Sequence, residues 1–147
     1  MDIMVSITGY GGEKTTLLAE ISPASGVLVI VKKIRFREVA DDGYAFVTNT
    51  RTESYDCLFT EEHWADAIRE YQVAVGTDTL TMSDLTQQYR PRIETDGVGE
   101  GGQKYRLHPD LVNGEVAVLA LAHFHQRQRA IVTGSDTLDE WCDLVMI

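Results

Sequence analysis

The chain has 147 residues, 44% of them hydrophobic and 24% charged, with a net charge of −10 at pH 7. That length and composition fit one soluble globular domain spanning residues 1–147. The acidic excess repels phosphate, so direct nucleic-acid binding is disfavoured and a partner protein with a basic surface is the compatible class.

Residues 1–59 read as strands separated by turn signals. Ile3–Tyr10 leads to the turn Gly11–Lys14, then Thr15–Ile21, then the turn Pro23–Gly26. Val27–Val39 follows, then Asp41–Gly43, then Tyr44–Thr50, and the stretch to Phe59 supplies another strand or two. Short connections between β-rich runs predict antiparallel hairpins. Val27–Val31 is continuously apolar, which predicts a strand covered on both faces. Beyond it the pattern alternates: Ile34 and Phe36 face one way, while Lys33, Arg35 and Arg37 make a basic stripe on the other.

Residues 60–147 read as mainly helical. Thr60 is a capping residue, and Glu61 and Glu62 fall in the first turn, where carboxylates are favoured. Trp64, Ile68, Tyr71 and Val75 recur at helical spacing and predict an apolar face for a helix over 60–75. Ser83 opens a short helix with Leu85 and Tyr89 on one face, ended by Pro91. Arg92–Thr95 and Lys104–His108 pair as strands around the glycine-rich stretch Asp96–Gly102, expected to be a mobile loop.

Asn113–Arg129 is the most apolar stretch, with His123 the one polar residue between Val116 and Phe124. Asn113-Gly114 is also a hairpin dipeptide, so a strand is the alternative. Length and the alanine and leucine content select a buried helix, capped by Asn113, with Glu115 at its positive end and Arg127 and Arg129 at its negative end. A last helix is expected from Ser135, with Leu138, Trp141, Cys142 and Val145 inward. The expected architecture is one α+β domain: an N-terminal antiparallel β-meander covered by the amphipathic 60–75 helix, with a helical C-terminal part packed on it.

Motifs with a chemistry attached are few. Gly9–Thr16 resembles a phosphate-binding loop, but Glu13 stands where the motif requires glycine before the lysine. A hairpin turn is the better reading. The two C-terminal helices imitate a helix-turn-helix, yet the second carries Asp136, Asp139, Glu140 and Asp143 and no cation to meet phosphate. Cys57 and Cys142 form no CxxC pair, which gives neither a disulfide framework nor a zinc signature; reduced thiols in a cytoplasmic protein are expected. The first ten residues lack a basic region followed by an apolar one, so no secretory signal is read there. No apolar run approaches the ~18 residues of a membrane span.

His123-x-His125 is the strongest metal-pair pattern, with His108 or Asp110 as a third ligand. The helix assignment argues against it, because residues two apart on a helix point about 200° apart. No metal or other cofactor is therefore expected. A small metal-dependent or histidine-using hydrolase built on His108, His123 and His125 is the alternative function, and a structural subunit of a larger assembly such as a phage particle is a second.

The leading expectation is a non-enzymatic, acidic protein-binding module. Residues 61–100 hold nine acidic and three basic side chains. Helical spacing places Glu62, Asp66 and Glu70 on one face beside Glu61. Asp96 and Glu100 extend that band, with Asp78, Asp84 and Glu94, if the loops fold beside it. Such a row imitates phosphates and would steer binding to a lysine- and arginine-lined groove, in the manner of anti-restriction or anti-CRISPR inhibitors.

Overall fold

Runs rich in valine, isoleucine and threonine close into a six-stranded sheet in the computed structural model, which describes residues 2–35, 44–51, 55–99 and 102–132. The strands β1 (Asp2–Thr8), β2 (Lys14–Ile21) and β3 (Leu28–Ile34) form the expected antiparallel meander. Three shorter strands complete the sheet: β4 (Tyr44–Thr48), β5 (Cys57–Leu58) and β6 (Leu80–Met82). The order is β5-β4-β1-β2-β3-β6, and β4, β5 and β6 are each parallel to the strand they join.

The sequence reading continues the hairpins through Tyr44–Thr50. Instead β4 crosses the sheet and lies parallel to β1, opposing Val47 to Val5. That placement makes β1 central, and its residues Ile3–Ile7 are all buried. A bulge in β3 at Val31 shifts the register, so Ile34 pairs with Thr16 on the face away from Leu17 and Ala19. Lys33 and Arg35 are exposed, as alternation predicts, whereas Phe36, Arg37 and the rest of that run lie outside the described residues.

The helix α2 (Asn113–Val132) is the centre of the fold. It lies across β1, β2 and β4, and every residue from Gly114 to His125 is buried. Its alanines at 117, 120 and 122 combine high helix propensity with small volume, so neighbours approach closely on all sides. Ile3, Val5, Leu17, Ala19, Leu28, Ile30 and Val47 belong to the same core.

The helix α1 (Trp64–Gly76) packs mainly on α2 and reaches the sheet at β6. Helices thus cover the meander as expected, with α2 rather than α1 in direct contact with its central strands. Ala67, Ile68 and Ala74 fill the α1 interface, while Trp64 and Tyr71 are half-buried beside it. Val75, expected inward, is exposed together with Val73, because the two alanines pull the contact line away from it. Asp66 and Glu70 on α1 meet Arg127 and His123 on α2 in reverse order, so the helices run antiparallel.

The segment after Ser83 is a 3-10 helix, Asp84–Tyr89, with Leu85 exposed rather than inward. Thr86 is the buried residue, its hydroxyl donating to the Ile30 carbonyl at 3.1 Å. Tyr89 does face inward and covers Gly114, where a Cβ would fall within its ring. The strands β7 (Ile93–Gly99) and β8 (Gly102–Leu107) form the expected antiparallel pair. Pairing runs on to Gly99 and Gly102, so most of the expected glycine-rich loop is hairpin. The expected last helix, Ser135 to Val145, lies outside the described residues.

Candidate functional site

The fold divides the acidic residues of 61–100 among several elements. Glu61 and Glu62 sit in a 3-10 turn, Glu61–His63, that runs into α1, and both are exposed. Glu61 accepts the Tyr10 phenol at 2.9 Å. Asp66 pairs with Arg69 on its own helix and lies 3.9 Å from Arg127 on α2. Glu70 accepts His123 Nδ1 at 2.7 Å. Glu70 therefore turns toward α2, whereas Asp66 stays half-exposed between Arg69 and Arg127. Glu94 lies 3.5 Å from Arg106 in the β7–β8 hairpin. Asp96 falls within β7, and Glu100 lies outside the described residues.

Around Glu70 the structure gathers groups that are far apart in sequence. The His123 and His63 rings stack with centroids 5.0 Å apart, and Phe59 lies against both at 5.6 and 5.9 Å. His63 is the third residue of the turn opened by Thr60, and its Nδ1 accepts the Thr60 amide at 3.1 Å. Thr60 and His63 thereby form a reciprocal capping box, with histidine in the place usually taken by Glu or Gln. An Nδ1 that accepts leaves the ring proton on Nε2. Burial, and then His123 beside it, hold His63 below its ordinary value, against the opposing pull of Glu62 and Asp66.

Cys57 lies at the edge of this region and is buried. Desolvation pushes its thiol up to about 11, outweighing the favourable field of Arg127. A thiol held that high is not a nucleophile at neutral pH.

The three histidines of the alternative metal site do not converge. His108 Nδ1 accepts the Asp110 amide at 3.1 Å, and its Nε2 lies 3.7 Å from Glu94. His123 turns to α1, whereas His125 Nε2 donates to the Gly26 carbonyl at 2.8 Å in the β2–β3 turn. Burial lowers His125 despite that bond, so the ring is neutral there. Among the described residues no three histidine, cysteine or carboxylate groups are placed to share a metal ion.

The exposed carboxylates have a different neighbour. Tyr10, in the β1–β2 turn, is fully exposed except for its bond to Glu61. Glu13 of the same turn lays its carboxylate over Gly9 and Gly11, where a side chain would collide with it. Asn113 Nδ2 donates to the Glu13 carbonyl at 3.2 Å, which fixes the turn to the start of α2. The turn that resembles a phosphate loop is thus a hairpin turn presenting an aromatic ring beside carboxylates.

Sequence patterns do not single out His63, Tyr10 or the ion pair of Arg92 with the buried Glu115, 2.8 Å apart. The nearest signal for His63 is the Thr-x-x-His spacing after Thr60. Tyr10 carries no local signal, because its partner is 51 residues away. No family model, curated protein or solved structure matches the chain. Among the described residues no helix is long and apolar enough to cross a membrane.

Proposed function

We propose that the chain is a small acidic protein-binding module whose contact surface is the β1–β2 turn together with the start of α1. The observation that carries this reading is Tyr10: a ring standing in solvent, tethered by its hydroxyl to Glu61, with Glu62 and Glu13 close in the chain to the residues it joins. A large aromatic side chain with a polar tip is a common anchor of protein interfaces. Carboxylates around it favour a lysine- or arginine-bearing partner, whose guanidinium can also stack on the ring.

The partner class is a protein with a basic surface, such as one that handles nucleic acid, and the module acts as an inhibitor by occupying that surface. The mimicry is narrower than a long phosphate row, since Glu70 is held by α2 and Asp66 is shared between Arg69 and Arg127. A cytoplasmic setting suits the free, buried Cys57.

An affinity pull-down from the native host or its target organism should recover a discrete basic protein. Glu61→Lys with Glu62→Lys should slow its association, most strongly at low salt, with the melting temperature held. Tyr10→Ala should speed dissociation. Association that ignores both salt and charge reversal in a folded variant would remove the electrostatic part of this proposal. Recovery of the chain only as its own large assembly in light scattering would replace it with the structural-subunit reading.

A further inference from the structure

We propose that His63 is a pH-operated latch on the start of α1, closed while its imidazole is neutral and released when it is protonated. His63 Nδ1 closes the turn only as an acceptor for the Thr60 amide, and a protonated ring has no lone pair to offer. A protonated ring could only turn its Nδ1 proton toward the Thr60 hydroxyl, 3.5 Å away, which still leaves the Thr60 amide without its acceptor. A capping box normally uses Glu or Gln at this position, which accept across the neutral range. Histidine there makes the cap depend on pH, because this side chain changes charge near the neutral range.

The surroundings set the direction and confine the effect. From α2, His123 stacks on the His63 ring and the Arg127 guanidinium lies nearby. From α1 and its leading turn, Glu62 and Asp66 favour the charged ring, and Glu70 is occupied by His123. From the end of β5, Phe59 offers only a desolvating aromatic face. Burial, with His123 and Arg127 beside the ring, outweighs the two carboxylates, so the latch stays closed at neutral pH. On protonation the Thr60 amide loses its acceptor and the ring is driven from His123. The segment Thr60–Glu62 then loosens, while α2 is held by contacts that do not involve His63. The latch is a property of the fold and does not rest on the proposed partner, although it lies beneath Glu61 and Glu62.

Hydrogen exchange of the Thr60 amide, corrected for intrinsic rate and followed by NMR from pH 7.5 to 5, tests it. Protection of Thr60 should fall about fivefold as the His63 ring nitrogens titrate, the loss expected for a helix cap. Amides of Ala120–Ala122 should stay protected over the same range. His63→Gln keeps an acceptor without a titration and should make Thr60 protection independent of pH. Thr60 protection that does not move while the His63 ring protonates would overturn the latch. So would an equal loss in His63→Gln, or simultaneous loss across α2, which would mark global unfolding. If His63→Gln does not fold, the wild-type comparison of Thr60 with the His63 ring signals decides alone.

Discussion

Glu115→Ala tests how the apolar central helix is fixed in place. The Glu115 side chain is 3% exposed and accepts four groups: Arg92 Nε at 3.1 Å, Arg92 Nη2 at 2.8 Å, the Arg92 amide at 3.0 Å and the Val112 amide at 3.2 Å. Burial pulls its carboxyl upward, but the Arg92 guanidinium and the two amides together hold it below the ordinary carboxylate value. Truncation strands the two amides, each costing about 1–3 kcal/mol when left without a partner. The half-exposed Arg92 rehydrates, so its lost ion pair adds little. A loss of about 3 kcal/mol follows, or roughly 1.5 M in urea midpoint at a typical slope for small proteins. Glu115→Gln retains an acceptor for the amides and should lie between the variant and the wild type. Because the folded value is depressed, the stabilisation is full above the ordinary 4.5 and disappears as pH falls through the lower folded value. The gap between wild type and Glu115→Ala should therefore narrow in acid. Urea titrations at pH 7 with an unchanged slope and a loss under about 1 kcal/mol would refute the hydrogen-bond accounting.

Gly114→Ala should destabilise by about 1 kcal/mol, because collision with the Tyr89 ring outweighs the gain in helix propensity; in a Tyr89→Ala background the same change should raise the melting temperature. His125 has a lowered folded value, so its contribution is full above the ordinary 6.5 and is lost as pH falls through that lower value. Melting curves from pH 7.5 to 5 should show a smaller acid loss in His125→Gln than in the wild type. Cys57 works in the opposite sense: its raised value, about 11, makes stability fall as pH rises above the ordinary 9. In a Cys142→Ser background the native thiol should resist a disulfide reagent at pH 8 and react on unfolding, and rapid native labelling would contradict the burial of Cys57.

What the sequence disclosed follows from the range of the forces involved. The meander β1–β3, the β7–β8 pairing and α2 rest on local periodicity, turn chemistry and propensity, and each was legible. The place of β4 was not, since pairing Val47 with Val5 depends on which strand best fills the sheet beside β1. Val75 and Leu85 failed for a related reason. Helical spacing names a face, but Ala67 and Thr86 decided which part of it could approach its neighbour. At the candidate site, Glu61 and Glu62 were legible as exposed first-turn carboxylates. Glu70 lies on the same helical side as Asp66 yet turns inward, because its imidazole partner comes from more than fifty positions away.

The polar residues of α2 explain why so apolar a helix has one position. Hydrophobic contact is nondirectional, and a cylinder of alanine and leucine can rotate or slide against its neighbours at modest cost. Four side chains oppose such motion, each on a different or differently placed partner. Glu115 holds Arg92 ahead of β7, and His125 holds the Gly26 carbonyl at the β2–β3 turn. His123 and Arg127, one turn apart, hold Glu70 and Asp66 on α1. A quarter-turn rotation would break all four and leave a buried carboxylate and two buried imidazoles without partners, each a larger cost than the apolar mismatch. The packing area of α2 supplies its burial, and these four groups select its register. Replacing His125 with an apolar residue of similar size should therefore loosen side-chain order along α2, visible as broadened core methyl resonances, even where the loss in stability is small.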